Sequence, residues 1–139
     1  MGDDDRFKLY KNHINEGCGA TKRKCIEYAT GEICAYLDPD DAIYPIALEK
    51  SIKEYNRNNT IVATYSRMMM CDENLNPQKT FASTKKIYNN ECFFNFPIQF
   101  AHFFTFKKEI YLRTEGINPE LKSAVDQDRY LKILEHGNP

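Results

Sequence analysis

Residues 31–45 read GEICAYLDPDDAIYP. Five apolar residues, Ile33, Cys34, Ala35, Tyr36 and Leu37, lead directly into Asp38, Pro39, Asp40 and Asp41. The run is short and does not alternate clearly, which predicts a strand over 33–37 buried on both faces. Three carboxylates within four residues at the end of such a strand have two readings. They form a polar turn, with Asp41 capping the helix that follows, or they hold something positive. Pro45 suits the first turn of a helix, where a missing N–H costs nothing.

The flanking sequence places this stretch in an alternating pattern. Phe7 and Leu9 alternate with polar positions, which predicts a strand, and residues 15–19 form a loop with two glycines. A helix is expected over 20–29, with Cys25, Ile26 and Ala29 on one face and Lys22, Arg23 and Lys24 mostly off it. After Pro45, Leu48, Ile52 and Tyr55 give an i, i+4, i+7 stripe on a second helix. Residues 60–70 are β-branched and apolar enough for a strand, and 72–77 carry turn residues. The aromatic segment 92–106 mixes strand and loop. A short helix is expected over 107–115, closed by Gly116, and a last one over 123–135, stopped by Gly137. Strands alternating with helices predict a single α/β domain over 1–139, with some parallel pairing. In such sheets a ligand sits beyond the carboxyl ends of the strands, which is where Asp38 falls.

Composition removes several alternatives. A net charge of -1 over 139 residues offers no field for nucleic acid, and short clusters such as Lys22-Arg23-Lys24 read as solvated helix faces. Five cysteines without a CxxC pair suggest neither a disulfide framework nor a zinc site, and fit a reducing, cytoplasmic setting. Residues 92–106 are too short for a membrane span and are interrupted by Asn95, Pro97, Gln99 and His102.

Three chemistries use closely spaced aspartates. An EF-hand loop starting at Asp38 needs glycine at its sixth position, which is Ile43 here. A phosphotransferase built on Asp38 and Asp40 would want a hydroxyl residue where Ala42 stands, and no later lysine stands out as a phosphate anchor. A D-x-D clamp remains: Mg²⁺ or Mn²⁺ takes one or two carboxylates and completes its shell with water and substrate phosphates. The ion then neutralises charge developing on a diphosphate leaving group.

The surroundings of the clamp add a resemblance. Asn15-Glu16-Gly17, the basic helix and ATGEICAYLDPDD together resemble the middle of a family 2 glycosyltransferase of the GT-A fold. Asn15, Gly17, Ala29, Gly31, Glu32, Leu37, Asp38, Asp40 and Asp41 match the family pattern in order and spacing. FKKEIYLRTEGINPEL resembles the family's basic-aromatic segment, and SAVDQDRYLKILEHG its closing helix. The resemblance implies a mixed GT-A sheet flanked by helices. It further implies metal-dependent, inverting transfer of a sugar from a nucleotide-diphospho-sugar to a saccharide or lipid-linked acceptor. Asp38, Asp40 and Asp41 would bind the donor diphosphate, with Asp40 and Asp38 on Mn²⁺ or Mg²⁺. Asp126 would be the general base, with Asp128 as the alternative.

The departures from the family pattern carry expectations of their own. Lys22 takes the phosphate-facing role where the family has Arg-Asn, and Val125 replaces the glutamate before the base. His102 falls in the acceptor region, among phenylalanines expected to be core. The family's first strands and nucleobase-binding turn have no counterpart here, so the chain reads as the second part of a transferase domain, inactive alone. An unpaired sheet edge then predicts self-association, and the lipid-linked acceptor allows peripheral membrane association. The competing reading is a non-catalytic module of the same architecture, binding a carbohydrate or a partner protein.

Overall fold

The computed structural model describes residues 4–80 and 101–137. Elements follow in the order α1 (Gly17–Tyr28), β1 (Ile33–Ala35), α2 (Ala47–Arg57), β2 (Ala63–Ser66), β3 (Met69–Cys71), β4 (Pro77–Thr80), β5 (Ala101–Lys107), α3 (Lys108–Tyr111) and α4 (Val125–Leu134). The α/β class expected from the alternation is the class observed.

The principal sheet has the order β1-β5-β2. Both outer strands pair antiparallel with β5, so β1 and β2 run in the same direction with β5 between them. Direct parallel pairing, the expectation from the alternation alone, gives way to this insertion by a strand from late in the chain. Cys34 and Ala63 both face Phe106 across the ladder. Since side chains alternate along a strand, Cys34, Ala63, Phe104 and Phe106 share one face. Against it pack Ile26 of α1 and Val125, Tyr130, Ile133 and Leu134 of α4. Thr105 points the other way, where its hydroxyl bonds Thr64 at 2.7 Å and the Tyr55 phenol of α2 at 2.9 Å. Helices therefore flank both faces. Where the β2 register shifts between Thr64 and Ser66, the Ser66 hydroxyl accepts the Phe103 N–H at 2.7 Å.

Four expectations change. Residues 7–9 form no strand, and Phe7 and Leu9 are exposed; alternation alone cannot form a strand without a neighbouring ladder. β1 ends at Ala35 and runs intermediate, buried, exposed, so only one of its faces is covered. On α2 the stripe is buried only at Tyr55, while Leu48 and Ile52 stay exposed. The stretch expected as one strand over 60–70 is divided into β2 and β3, and β3 forms a separate hairpin with β4. Asp72 fixes that hairpin's turn by accepting the N–H groups of Asn74 and Asn76, each at 2.9 Å. Among the described residues no helix is long and apolar enough to cross a membrane. Phe103, Phe104 and Phe106 are core as expected. Phe93, Phe94, Phe96 and Phe100 lie outside the described residues.

The N-x-G element has a local cause. Asn15 Oδ1 accepts the Gly17 N–H at 3.0 Å, and Gly17 has φ +84, so the loop turns sharply into α1. Gly19 then lets α1 lie against the loop before α4. A Cβ there would sit 2.7 Å from the Asn118 carbonyl oxygen, 3.1 Å from that of Leu121 and 3.2 Å from that of Pro119. Three backbone oxygens cannot all withdraw. Gly19→Ala is expected to lower stability by about 1–3 kcal/mol, although alanine is the better helix former by about 1 kcal/mol. Urea unfolding of the two proteins checks this, and a stabilised variant would show that the contact is looser than described.

Candidate active site

Asp38 and Asp41 are the ends of a tight turn: the Asp41 N–H donates to the Asp38 carbonyl at 3.0 Å, with Pro39 at the second position that its fixed φ favours. Asp40 and Asp41 are exposed, and among the described residues neither carboxylate is engaged. Asp41 does not cap α2, whose N-cap is Ile46 with no side-chain bond. Asp38 is engaged. Its carboxylate lies 3.2 Å from Lys22 Nζ of α1.

The same ammonium reaches Asp126, the second residue of α4, at 3.1 Å from Oδ1 and 3.2 Å from Oδ2. Lys22 is thus the meeting point of two carboxylates that lie far apart in sequence. Its side chain is 11% exposed, against 35% for Asp38 and 27% for Asp126. Burial works against the charge on Lys22, but Asp126 and Asp38 together outweigh it, and the ammonium is held above the ordinary lysine range. Tyr36 forms the floor. Its ring lies 5.5 Å from Lys22 Nζ, and its hydroxyl donates to the Lys22 backbone carbonyl. Burial pushes the Tyr36 phenol far up, despite the opposing pull of Arg129.

Asp126 has a second cationic partner that the sequence reading did not single out. Arg129 Nη2 lies 2.9 Å from Asp126 Oδ1 on the same helix. Arg129 is only 1% exposed and lies close to the rings of Tyr36, Tyr130, Phe104 and Phe106. Its spacing gave a signal, because Val125, Arg129 and Ile133 fall at i, i+4 and i+8 on the apolar side of α4. Ala124, in the left-handed region at φ 54, sets the angle at which α4 starts.

Asp128, the alternative base, points elsewhere. It accepts the Asn118 N–H at 3.0 Å and pairs with Lys132, which also donates to the Gly116 carbonyl at 2.9 Å. It ties α4 to the preceding loop. Of the residues expected in the site, the fold brings Lys22, Asp38 and Asp126 together and leaves Asp40 and Asp41 on the exposed turn. His102 is placed on β5 by its backbone, and most of the acceptor-side segment lies outside the described residues. Val125 is buried in the core at the position where the family pattern has glutamate.

Among the described residues no group of three or more His, Cys, Asp or Glu side chains could cage a metal ion. Two carboxylates at i and i+2, with Asp40 exposed, suit an ion whose remaining ligands are water and phosphate.

Compared with known proteins, residues 1–113 match the family described as Glycosyl transferase family 2. The chain is 28% identical over 142 positions to a chondroitin synthase of Pasteurella multocida, covering 94% of this chain and 14% of the relative. A hyaluronan synthase of the same species gives the same figures. An Escherichia coli UDP-Glc:alpha-D-GlcNAc-diphosphoundecaprenol beta-1,3-glucosyltransferase is 31% identical over 86 positions, covering 62% of this chain and 34% of that protein. The chain therefore spans 14% of the length of the two synthases. Asp126 lies beyond the part matched by the family model.

Lys22→Met is expected to lower stability at pH 7 by about 1.5–3 kcal/mol, the range for a bond to a charged group. A raised lysine pKa contributes stability that is complete below the unfolded value of 10.5 and disappears as pH rises through the higher folded value. The gap between wild type and variant should therefore hold through neutral pH and close above about pH 10.5. Urea midpoints across pH 7–11.5 measure it, and a gap that closes near neutrality would contradict the pairing.

Proposed function

The chain belongs to glycosyl transferase family 2, and from that premise we propose that it carries the metal-binding and base residues of a transferase using nucleotide-diphospho-sugar donors. The observation that supports this most is the Lys22 ammonium between Asp38, on the turn after β1, and Asp126 at the start of α4. A donor site and an acceptor site need to meet at one point, and these two elements do.

In this reading Asp126 takes the proton of an acceptor hydroxyl, and the freed oxygen attacks the anomeric carbon from the face opposite the leaving group. The bond from that carbon to the diphosphate oxygen breaks, its electron pair leaves with the nucleoside diphosphate, and the configuration inverts. Asp40 and Asp38 would hold Mn²⁺ or Mg²⁺, which would supply charge neutralisation at the diphosphate. Lys22 adds a second positive charge at that diphosphate. The acceptor is a saccharide or a lipid-linked saccharide, consistent with the names of the synthases and of the undecaprenol-dependent relative. We place the reaction in polysaccharide synthesis in the cytoplasm, and the free thiols of Cys18, Cys25, Cys34 and Cys71 suit a reducing compartment. Catalysis is assigned to the full-length protein, and residues 1–139 alone are proposed to be inactive, as one partial domain.

With UDP-glucose and UDP-N-acetylglucosamine as donors and Mn²⁺ present, Asp126→Asn is expected to lower kcat of the full-length protein by about 10²–10⁴-fold, the worth of a positioned base. Asp40→Asn should cost at least about tenfold, and EDTA should abolish turnover until Mn²⁺ is restored. Wild-type rates in both variants would remove the catalytic reading.

Self-association belongs to the same proposal, since Phe7, Leu9, Leu48 and Ile52 stay exposed. The apparent mass by light scattering should rise with concentration; a constant monomer mass argues against it.

A further inference from the structure

Arg129 is a costly residue for the place it occupies. It is 1% exposed, and among the described residues its Nε and Nη1 have no hydrogen-bond partner. An arginine kept for stability would satisfy its donors, and a ring-lined pocket of this kind would accept an apolar side chain at equal or better stability. The guanidinium's bond to a charged group is that of Nη2 to Asp126 Oδ1 at 2.9 Å, and it also interacts with the Tyr130 hydroxyl. Its orientation is set by the rings around it: Tyr36 at 4.4 Å, Tyr130 at 4.9 Å, and Phe104 and Phe106 each at 5.6 Å. A planar cation packed among π-faces has little freedom to rotate away from its carboxylate.

The two cations on Asp126 differ in kind. Lys22 is shared with Asp38, reaches both oxygens of Asp126, and sits on a flexible stem at the edge of the site. Arg129 touches Oδ1 alone and is enclosed by the core. We propose that Arg129 is a positioning residue for Asp126: its enclosed guanidinium fixes Oδ1 and leaves Oδ2 as the oxygen that exchanges Lys22 for an acceptor hydroxyl. The inference rests on the reading of Asp126 as the base. A carboxylate on the first turn of a helix has several rotamers of similar energy, and a base must stand within hydrogen-bond reach of the proton it takes. The tether selects one rotamer before any substrate arrives.

The test uses Arg129→Met and Arg129→Lys with three readouts. The first is thermal unfolding, in which Arg129→Met is expected to match or exceed wild type. The second is the carboxyl ¹³C resonance of Asp126, assigned by its loss in Asp126→Asn. It should move in Arg129→Met and return part of the way in Arg129→Lys. The third is turnover by the full-length protein under the donor conditions above. Arg129→Met should lower kcat at least tenfold with donor KM within about twofold, and Arg129→Lys should recover part of it, the pattern of a lost transition-state geometry. An unmoved Asp126 resonance, an unchanged kcat in a folded Arg129→Met, or unfolding of both variants overturns the proposal, the last by assigning Arg129 to the fold. The resonance needs no substrate. If it moves while Asp126→Asn leaves turnover intact, the tether stands and the base reading of Asp126 is what fails.

Discussion

The position of β5 between β1 and β2 is the constraint from which the rest of the structure follows. Neither outer strand pairs with the other, so the three-stranded sheet closes only when residues 101–107 reach back to both. Such long-range pairing is slow to form, because loop closure has to precede the contacts that reward it. Once formed, it fixes the side-chain alternation of the sheet. Phe104 and Phe106 go to the face that α1 and α4 cover, and Thr105 goes to the face that Tyr55 reaches. Because α1 and α4 share one face, Lys22 of the first and Asp126 of the second can meet. Shifting β5 by one residue would turn Phe106 away from Tyr36 and Tyr111 and dismantle the floor of the site.

The charges at that floor form a balanced set. Lys22 and Arg129 face Asp38 and Asp126, two of each sign, linked in series from the edge of the site to the core. Such a series contributes less to net stability than its short distances suggest, because desolvation opposes the attraction. It does make the geometry single-valued. Among the described residues Asp126 has one fixed and one mobile partner, and Asp38 has only the mobile one. The neighbouring pair of Asp128 and Lys132 is separate, directed to the loop at 116–118, where it braces the start of α4. Two aspartates two positions apart on one helix thus do unrelated jobs, because residues at i and i+2 of an α-helix do not face each other.

Much of this was legible in the amino acids, and the failures have physical causes. The N-x-G turn, the helix after it and the carboxylate turn at 38–41 are local signals, set by Asx-turn chemistry, periodicity and proline, and they are present, although β1 stops at Ala35, short of that turn. The strand at 7–9 failed because alternation describes a side chain's preference for a face, whereas a strand needs a partner for its backbone. The apolar stripe of α2 failed in the same way: Leu48 and Ile52 mark a face without saying what covers it. Direct parallel pairing failed because no local rule reveals that a distant segment will insert. In the site, Asp126 could be named from pattern, but Arg129 could be found only by treating a cation on an apolar stripe as information.

The raised pKa of Lys22 bears on how such a site could work. Two carboxylates hold the ammonium charged well past neutrality, so it cannot leave its partners by losing a proton. It can leave them only by exchange for another anion. In the reading proposed above, a donor diphosphate is that anion, and it arrives at the Asp38 turn where the ammonium already stands. Moving Lys22 onto the diphosphate strips Asp126 of its mobile partner while Arg129 keeps its fixed one. A freely accessible carboxylate would lack this dependence, and so would one paired only with Arg129. In that reading, the placement of one lysine between two aspartates would link readiness of the base to occupancy by the donor, through the Lys22 contacts to Asp38 and Asp126.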